Sequence, residues 1–507
     1  MEIYFLLYVV TALIGALIAY YFFFTQNRFE KHGIPTPKRL SYLSNSIRLL
    51  MRSLSMVDNI ESLYSINKDA KYIGFYDFHW PIIMLQDLEL IKSVTVKNFD
   101  HFVDHRSFID PELEPLFGKN LFSLRGDKWR EIRTLLSPAF TSSKMKAMFI
   151  LMSQCAENFA SLLVEKSKGK PIEINSKDVL TFYTNDTIAT CAFGVAVDSM
   201  KDPNNEFYVL GKKATNFSGV NMLKFMMSRI SPKLSKFIGL KMISRDVEDF
   251  FYQLIRDTIA MRDEKNIVRP DMLQLMMATR GKGSESKNPE LSIESMTSQA
   301  FIFFFGGFDS TSTLMCFVFH EIAGNLEMQK KLQDEIDEVF EKSDGNPTYE
   351  AVNNMEYLDA IINESLRMYP IGLMLDRLCT KRFELPPAVP GGKPYVIEPG
   401  NNIWIPIWSI HRNPEYFPEP NKFLPERFLE GGKETFNSSA YMPFGLGPRM
   451  CIGNRFALLE TKVLLIHFFR MCNAKIAKKM KIPLKISAKT LNLMAEGGFW
   501  LEIEPRK

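Results

Sequence analysis

The sequence lacks the signatures of several common protein classes. Its six cysteines stand singly at positions 155, 191, 316, 379, 451 and 472, without CxxC pairs or short regular spacings. This pattern excludes a disulfide framework and a zinc site of the usual spacing, and the cysteines are expected to be reduced thiols. The net charge is only +4, which is too balanced to indicate a nucleic-acid-binding surface. Nucleic acid is therefore not an expected partner.

Strand-like segments are also scarce. They are short and lie near residues 72–75, 82–85, 395–397 and 499–503, which is too little strand for a doubly wound α/β fold. Apolar residues recur at three- and four-residue spacing elsewhere, which predicts helices. These are expected over 144–168, 326–340 and 359–368, within 124–140, and from near 292 onwards. The predicted fold class is mainly α, a helix-rich body with small β-sheets.

Only one long apolar run is free of charged residues. It extends from Ile3 to Phe24, and as a helix it would measure roughly 33 Å, enough to cross a bilayer. A cleaved signal peptide is the alternative, although its apolar region would be shorter. Basic residues follow at 28, 31, 38 and 39 and prolines at 35 and 37, so the rest of the chain is expected on the cytoplasmic side. We predict an anchor over 1–25 and a basic, proline-containing hinge over 26–40.

The most informative stretch surrounds Cys451. In PFGLGPRMCIGNRFALLE, residues 443–460, glycines bracket this cysteine and helical periodicity begins directly after it. Backbone N–H groups at a helix amino terminus lower a thiol pKa and stabilise the thiolate, which is the form that binds metal. Taken alone, such a cysteine is more often a buried structural thiol. The spacing of its neighbours decides between these interpretations.

That spacing reproduces a known signature. The pattern FxxGxRxCxG is matched without a departure by Phe444, Gly447, Arg449, Cys451 and Gly453. This is the haem-binding signature of the cytochrome P450 superfamily, which the chain therefore resembles. The resemblance covers essentially the whole chain and implies a single haem-thiolate monooxygenase domain over 41–507, with haem b as the cofactor. It also implies that Cys451 is the axial thiolate, that Arg449 pairs with a haem propionate, and that Phe444 and Gly453 belong to the cofactor site.

Two further motifs occur in the order that the family requires. Glu364 and Arg367 form ExxR, a spacing that by itself indicates only a surface ion pair. The resemblance joins this pair to Arg427 of the downstream PERF sequence, and it implies a structural cluster that holds the irregular, proline-rich path before the cysteine. Trp129 and Arg133 form WxxxR on one face of a helix, a spacing that by itself indicates an exposed aromatic-basic pair. The resemblance implies that both donate to a haem propionate. Arg377 resembles a further propionate contact.

The apolar helix that begins near 292 contains the oxygen-activation motif of the family. Paired glycines within a helix are destabilising, so something is expected to approach the backbone at Gly306 and Gly307. The resemblance assigns the catalytic roles to Asp309, Ser310 and Thr311. The usual threonine is Ser310 here, a departure that retains a hydroxyl for proton relay, with Asp309 as the acidic partner. Serine lacks the methyl group that restricts χ1, so its hydroxyl is expected to be less well aimed.

The resemblance also implies a substrate region and redox partners. The proposed substrate contacts are nearly all apolar and indicate a lipophilic substrate: Phe108, Phe304, Phe305, Phe308, Leu373 and Leu493. Microsomal members of the insect type process foreign compounds, receive electrons from NADPH through a flavoprotein, NADPH-cytochrome reductase, and sometimes use cytochrome b5. This implies a single-pass protein of the endoplasmic reticulum membrane with membrane lipid as a partner.

The alternatives are a different substrate or a different reaction. The substrate could be an endogenous hormone, fatty acid or odorant instead of a plant toxin or insecticide. The reaction could be that of a haem-thiolate isomerase or dehydratase, which needs no electrons. The retained Asp309 and Ser310 argue against the second alternative. A non-catalytic haem or ligand carrier is opposed by the same motif.

Overall fold

The computed structural model describes residues 15, 28–77, 80–107, 109–217, 219–269, 271–280, 291–490 and 492–506. The predicted anchor therefore lies outside the described residues, apart from Gly15. The chain divides into two compact units. The smaller unit comprises residues 1–104, 374–410 and 446–448, and the larger comprises 105–373, 411–445 and 449–507. The extents of the anchor, the hinge and the catalytic domain remain predictions.

The described part of the chain is mainly helical with small sheets, as predicted. Its α-helices are α1 (Arg39–Leu50), α2 (Met56–Tyr64), α3 (Leu88–Lys92), α4 (Pro115–Gly118), α5 (Gly126–Leu136), α6 (Ser142–Ser167), α7 (Ser176–Ile188), α8 (Glu206–Ala214), α9 (Val220–Ile230), α10 (Pro232–Phe237), α11 (Arg245–Lys265), α12 (Met272–Met277), α13 (Ile293–Gly324), α14 (Leu326–Lys342), α15 (Tyr349–Asn353), α16 (Glu356–Met368), α17 (Ile407–Ile410) and α18 (Asn454–Met471). Its strands are β1 (Tyr72–Asp77), β2 (Trp80–Leu85), β3 (Ile172–Asn175), β4 (Leu375–Leu378), β5 (Phe383–Leu385), β6 (Tyr395–Ile397), β7 (Asn402–Ile405), β8 (Cys472–Ile476) and β9 (Trp500–Pro505).

The smaller unit is built on a four-stranded sheet with the order β1-β2-β7-β4. β1 pairs antiparallel with β2, β2 parallel with β7, and β7 antiparallel with β4. Alternate side chains of β1 and β2, such as Ile73 and Ile82, are fully buried and pack with Trp404 of β7. This apolar face stabilises a sheet whose strands are too short to be stable alone. β5 and β6 form a separate antiparallel pair.

Helix α13 is the central element of the larger unit. It contacts α4, α7, α11, α16 and α18 as well as β8, which explains why it is apolar on nearly every face. Its start is fixed by Ser292, whose side chain accepts a hydrogen bond from the backbone N–H of Ser295. Such a cap satisfies a backbone donor that has no partner within the helix. The sheet of this unit has the order β3-β9-β8.

Two described helices, α6 and α13, combine the length and the apolar composition that a bilayer crossing requires. Sequence analysis identified only the amino-terminal run, because Asp309 and the paired glycines interrupt the apolar character of α13. The apolar surface of α13 is accounted for by the helices that surround it. Its composition therefore reflects burial inside the larger unit.

Candidate active site

The loop before α18 holds Cys451 in a tight turn. The backbone N–H of Cys451 donates to the carbonyl oxygen of Phe444 over 2.9 Å. Gly445 has a φ of +79°, a left-handed conformation that glycine adopts at little cost. α18 begins at Asn454, as the periodicity of the sequence predicts. The loop therefore places the cysteine just before a helix amino terminus.

The surroundings of the Cys451 sulfur favour an anion only in part. All six cysteines are free, and Cys451 is the exposed one. Desolvation by the surrounding protein atoms raises the pKa of its thiol. A hydrogen bond from the backbone N–H of Gly453 and the charge of Arg133 act in the opposite direction and lower this pKa. The predicted lowering by a backbone N–H group is present at Gly453, while desolvation is the largest effect and raises the pKa.

Arg133 and Trp129 lie on the same face of α5. Trp129 is buried, whereas Arg133 is half-buried. Desolvation lowers the pKa of the Arg133 guanidinium, and the nearby Cys451 raises it. No carboxylate forms an ion pair with Arg133 among the described residues. The structure thus places Arg133 near enough to Cys451 for their charges to interact.

Arg449 is held by backbone carbonyl groups and by the Trp129 ring. Its guanidinium carbon lies 4.2 Å from the centroid of that ring. Its Nη1 donates to the oxygens of Leu121 and Phe122 at 3.3 Å each, and its Nη2 donates to the oxygen of Leu124 at 2.6 Å. The arginine is buried. Sequence analysis did not anticipate the carbonyl contacts, because backbone acceptors leave no signal in side-chain types.

Arg377 belongs to the smaller unit, where it lies on β4. It is fully buried, and desolvation lowers the pKa of its guanidinium to about 10, with Asp376 acting in the opposite direction. Its Nη2 donates to the oxygen of Leu446 over 3.4 Å, and its Nε has no hydrogen-bond partner among the described residues. A buried cation in this state is costly unless an anion accompanies it.

The glycine pair of α13 has two different environments. A Cβ at Gly306 would meet no described protein atom within 4 Å, whereas one at Gly307 would lie 3.1 Å from Cδ1 of Ile188. Gly307 is therefore explained by the close packing of α13 against α7. The Ser310 hydroxyl donates to the carbonyl oxygen of Gly306, one turn earlier. The open face of the helix thus carries Gly306 and Ser310.

Asp309 points to a different set of partners. Its Oδ1 lies 3.0 Å from Nζ of Lys177, and its Oδ2 accepts a hydrogen bond from Nδ2 of Asn492 at 2.6 Å. Sequence analysis missed both partners. Lys177 lies 132 residues before Asp309 and Asn492 lies 183 residues after it, and no short motif connects such distant positions.

Thr311 is buried, and its hydroxyl lies beside the carboxyl group of Glu460 on α18. Complete burial raises the pKa of Glu460 well above its usual range, and the Thr311 hydroxyl opposes this rise. Sequence patterns did not indicate Glu460, since it occurs within an apolar helical stretch.

The structure brings Glu364, Arg367 and Arg427 together in the larger unit. Arg367 donates to the Glu364 carboxylate from Nε at 2.7 Å and from Nη2 at 2.8 Å. Nε of Arg427 lies 3.4 Å from the same carboxylate. Arg367 also donates to the carbonyl oxygens of His411, Pro420 and Lys422. The cluster thus contacts the proline-rich path at several backbone positions.

The apolar residues assigned to substrate have unequal exposure. Phe304 and Phe308 are buried, and their rings pack against Phe207 and Tyr208 respectively. Phe305 is half-buried. Leu373 is half-buried and Leu493 is buried, while Phe108 lies outside the described residues. Of the three helix phenylalanines, Phe305 is therefore the one with accessible surface.

These groups suit a prosthetic group with an iron and carboxylates. A single thiol sulfur receives a backbone N–H and lies near a cation, which is the donor set of a thiolate ligand. Arg133 forms no ion pair with a carboxylate among the described residues, and such an arginine is suited to bind a carboxylate. No group of three or more His, Cys, Asp or Glu side chains that could hold a metal ion occurs in the described part of the chain. The residues present fit haem better than a metal held by side chains alone.

Comparison with known proteins agrees with this chemistry. The family model for cytochrome P450 matches residues 48–501. The chain is 44% identical to cytochrome P450 9e2 of Blattella germanica, over 94% of each chain. It is 38% identical to probable cytochrome P450 9f2 of Drosophila melanogaster, over 94% of this chain and 95% of the relative. It is 32% identical to cytochrome P450 6j1 of Blattella germanica, over 98% and 97%. The chain belongs to the cytochrome P450 family and is a monooxygenase that uses haem b.

Proposed function

We propose that this protein inserts one oxygen atom from O2 into a lipophilic foreign compound, such as a plant toxin or an insecticide. Electrons come from NADPH through a flavoprotein reductase, the kind of partner that membership of the family implies. The observation that carries this proposal is the environment of Cys451. Its sulfur receives the Gly453 N–H and lies near Arg133, in a loop that leads directly into a helix.

Cys451 is the proposed axial ligand. When bound, haem supplies the oxygen-activating iron, and an electron-rich thiolate favours O–O cleavage. The carbonyl oxygen of Phe444 accepts a hydrogen bond from the backbone N–H of Cys451. This bond fixes the backbone that carries the sulfur. Arg133, Trp129 and Arg449 are the proposed propionate donors of the larger unit. Arg377 is the proposed donor of the smaller unit, and its fully buried guanidinium supports this role.

The proton relay is assigned to α13. Ser310 holds a hydroxyl on the open face of the helix, where the Gly306 carbonyl fixes its direction. Asp309 is the proposed acid, and Lys177 and Asn492 bind its two carboxylate oxygens. Asp309 must therefore exchange one of these contacts to pass a proton to Ser310. Thr311 is buried beside Glu460. Its hydroxyl is therefore proposed to hydrogen-bond Glu460 and to assist the relay only indirectly.

The substrate is proposed to contact Phe305 and Leu373, which are half-buried and apolar. Phe305 packs edge-on against Phe117 at 5.4 Å between ring centroids, which supports an aromatic wall suited to lipophilic compounds. Phe304 and Phe308 are buried and are proposed to support this aromatic wall by packing, without contacting the substrate. The relatives' names specify no substrate. Screening the loss of lipophilic compounds from several classes would identify it.

Membrane attachment is proposed through the amino-terminal run and a second surface. In the larger unit, α9 and α10 carry exposed apolar side chains, which supports contact of this surface with lipid: Val220, Leu223, Met227, Ile230, Leu234, Phe237 and Ile238. We place the protein in the endoplasmic reticulum membrane with its body on the cytoplasmic side. Lys128, Arg130 and Lys144 are proposed to contact acidic loops of the reductase. Cytochrome b5 is proposed as an additional electron donor.

The function is tested by reconstituting the protein with reductase, NADPH and isotopically labelled O2. We expect product that contains one labelled oxygen atom, formed only when NADPH and reductase are both present. An isomerase or dehydratase would convert its substrate without NADPH and without label. Product formation that continues after omission of the reductase would contradict the proposal.

A further inference from the structure

Residues 119–124 form a short segment between α4 and α5, which we call the strap. The strap supplies three carbonyl oxygens that accept hydrogen bonds from Arg449, those of Leu121, Phe122 and Leu124. The Trp129 ring lies against the same guanidinium. Because a guanidinium donates within its own plane, carbonyl groups along its edge and a ring against its face fix its orientation. The position of Arg449 therefore depends on the position of the strap.

Gln299 of α13 holds the strap. Its side chain is 1% exposed. Its Nε2 donates to the carbonyl oxygen of Lys119 at 2.9 Å, and its Oε1 accepts the backbone N–H of Leu121 at 2.7 Å. One amide thus satisfies two backbone groups of the strap. Removing it would leave a buried donor and a buried acceptor unpaired, which costs more than the bonds themselves contribute.

Hydrogen bonds within the strap connect the residues held by Gln299 to those that bind Arg449. Oδ1 of Asn120 accepts the backbone N–H groups of Phe122 and Ser123 at 3.1 Å each, and its Nδ2 donates to the oxygen of Leu116 at 2.8 Å. Nζ of Lys119 pairs with Glu294 of α13 at 2.9 Å. The strap is therefore a hydrogen-bonded turn attached to α13 at two points. A displacement of its first residues would move the carbonyl groups that bind Arg449.

On the basis of the function proposed for Arg449, we propose that Gln299 is a positioning residue that orients this arginine through the strap and thereby retains the haem. Both hydrogen bonds of the Gln299 side chain go to the backbone of the strap. Its effect is carried by two successive sets of hydrogen bonds, first from Gln299 to the strap and then from the strap to Arg449. The amino-terminal half of α13 is in this way connected to the cofactor site.

The test compares two isosteric substitutions. Gln299→Met removes both hydrogen bonds while keeping the size of the side chain. Gln329→Met is the matched control, because Gln329 is also buried and makes the same pair of bonds to the backbone of Ala474, at 2.8 and 2.9 Å. The readout is the rate at which haem passes from the purified protein to apomyoglobin. We expect about tenfold faster transfer for Gln299→Met, and a rate within about twofold of the wild type for Gln329→Met.

Equal transfer rates for these two variants would overturn the inference. If Gln299→Met does not fold, Gln299→Asn keeps a buried amide, but its side chain is one methylene too short to make both bonds to the strap. We expect it to release haem faster than the wild type. A wild-type rate for this variant would equally overturn the inference.

A double substitution separates this inference from the role proposed for Arg449. Arg449→Gln should accelerate haem transfer, and adding Gln299→Met in that background should change the rate no further. If Arg449→Gln leaves the rate unchanged, the proposed role of Arg449 fails and the inference fails with it. If Arg449→Gln accelerates transfer and Gln299→Met still adds its full factor, the role of Arg449 stands and the inference alone is overturned.

Discussion

Nζ of Lys177 lies 3.0 Å from Oδ1 of Asp309, joining α7 to the catalytic motif of α13. The same nitrogen is within hydrogen-bonding distance of Asp309 O, Ser312 Oγ and Thr313 Oγ1, at 2.9, 2.8 and 2.7 Å. Both members of the ion pair are mostly enclosed. A lysine with four oxygen neighbours on one helix turn fixes the rotation of that turn relative to α7.

Lys177→Met should destabilise the protein by about 2–3 kcal/mol, because it removes charge-assisted hydrogen bonds and leaves the Asp309 carboxylate with one fewer partner. The loss is measured by urea unfolding. Lys212→Met is the control, since Lys212 and Asp178 form an exposed pair at 3.7 Å, and it should cost less than about 1 kcal/mol. Equal losses for the two variants would show that the contacts of Lys177 contribute no more than a surface pair.

Ser310→Ala should increase the amount of hydrogen peroxide released per NADPH consumed, because it removes the hydroxyl on the open face of α13. Ser310→Thr should lower peroxide release, since the added methyl group restricts χ1. Ser312→Ala is the matched control: its hydroxyl also bonds a carbonyl one turn earlier, that of Phe308 at 2.9 Å, but it faces Lys177. Unchanged coupling in Ser310→Ala would exclude the relay role.

Glu364→Gln should destabilise the protein by about 3–5 kcal/mol, because it leaves the buried Arg367 and Arg427 without their shared anion. Glu364 is fully buried and also accepts the backbone N–H of Leu424 at 2.9 Å. The measurement is the free energy of unfolding. Glu338→Gln, which breaks an exposed pair with Lys342, should change it by less than about 1 kcal/mol. A similarly small loss for Glu364→Gln would show that the cluster does not stabilise the fold.

Glu114 should make stability depend on pH. Burial raises its pKa to about 7, although the backbone N–H of Ile243 and the charge of Lys241 oppose the rise, and Glu248 adds to it. The folded protein then binds more protons than the unfolded chain, so this contribution is complete below the unfolded pKa near 4.5 and is lost as the pH rises through 7. The expected loss is about 3 kcal/mol over that window.

Thermal and urea unfolding of the wild type and Glu114→Gln at several pH values measure this dependence. Subtracting the two curves should leave a fall in stability as the pH rises, since the variant cannot ionise at this position. Glu112→Gln, a change at an exposed carboxylate of the same segment, is the control. Parallel curves for the wild type and Glu114→Gln would contradict the assignment.

Long periodic helices and the cysteine loop were predictable because their signals are local. The predicted helix over 326–340 extends over Leu326–Lys342, and α18 begins where periodicity begins after Cys451. Short strands such as β7 and β8 were missed, since pairing with distant strands, and not their own composition, stabilises them. The predicted strands near 72 and 82 were found, because both segments are short runs of mostly apolar residues.

Within the candidate site, the family pattern indicated the residues but not their partners. Lys177, Asn492 and Gln299 act through contacts with residues more than a hundred positions away, and a single sequence does not reveal such contacts. The orientation of phenylalanines on α13 was equally hidden. Phe304 and Phe305 are adjacent in sequence, yet only Phe305 retains accessible surface, because the helix turns about 100° between successive residues.

Thiolate ligation by Cys451 is the central claim, and the carbon monoxide spectrum of the reduced protein tests it most directly. We expect the red-shifted Soret band from which the family takes its name, present in the wild type and in the control Cys472→Ser, and absent in Cys451→His that still contains haem. A folded, haem-loaded wild type without this band, or a Cys451→His variant that keeps it, would contradict the account.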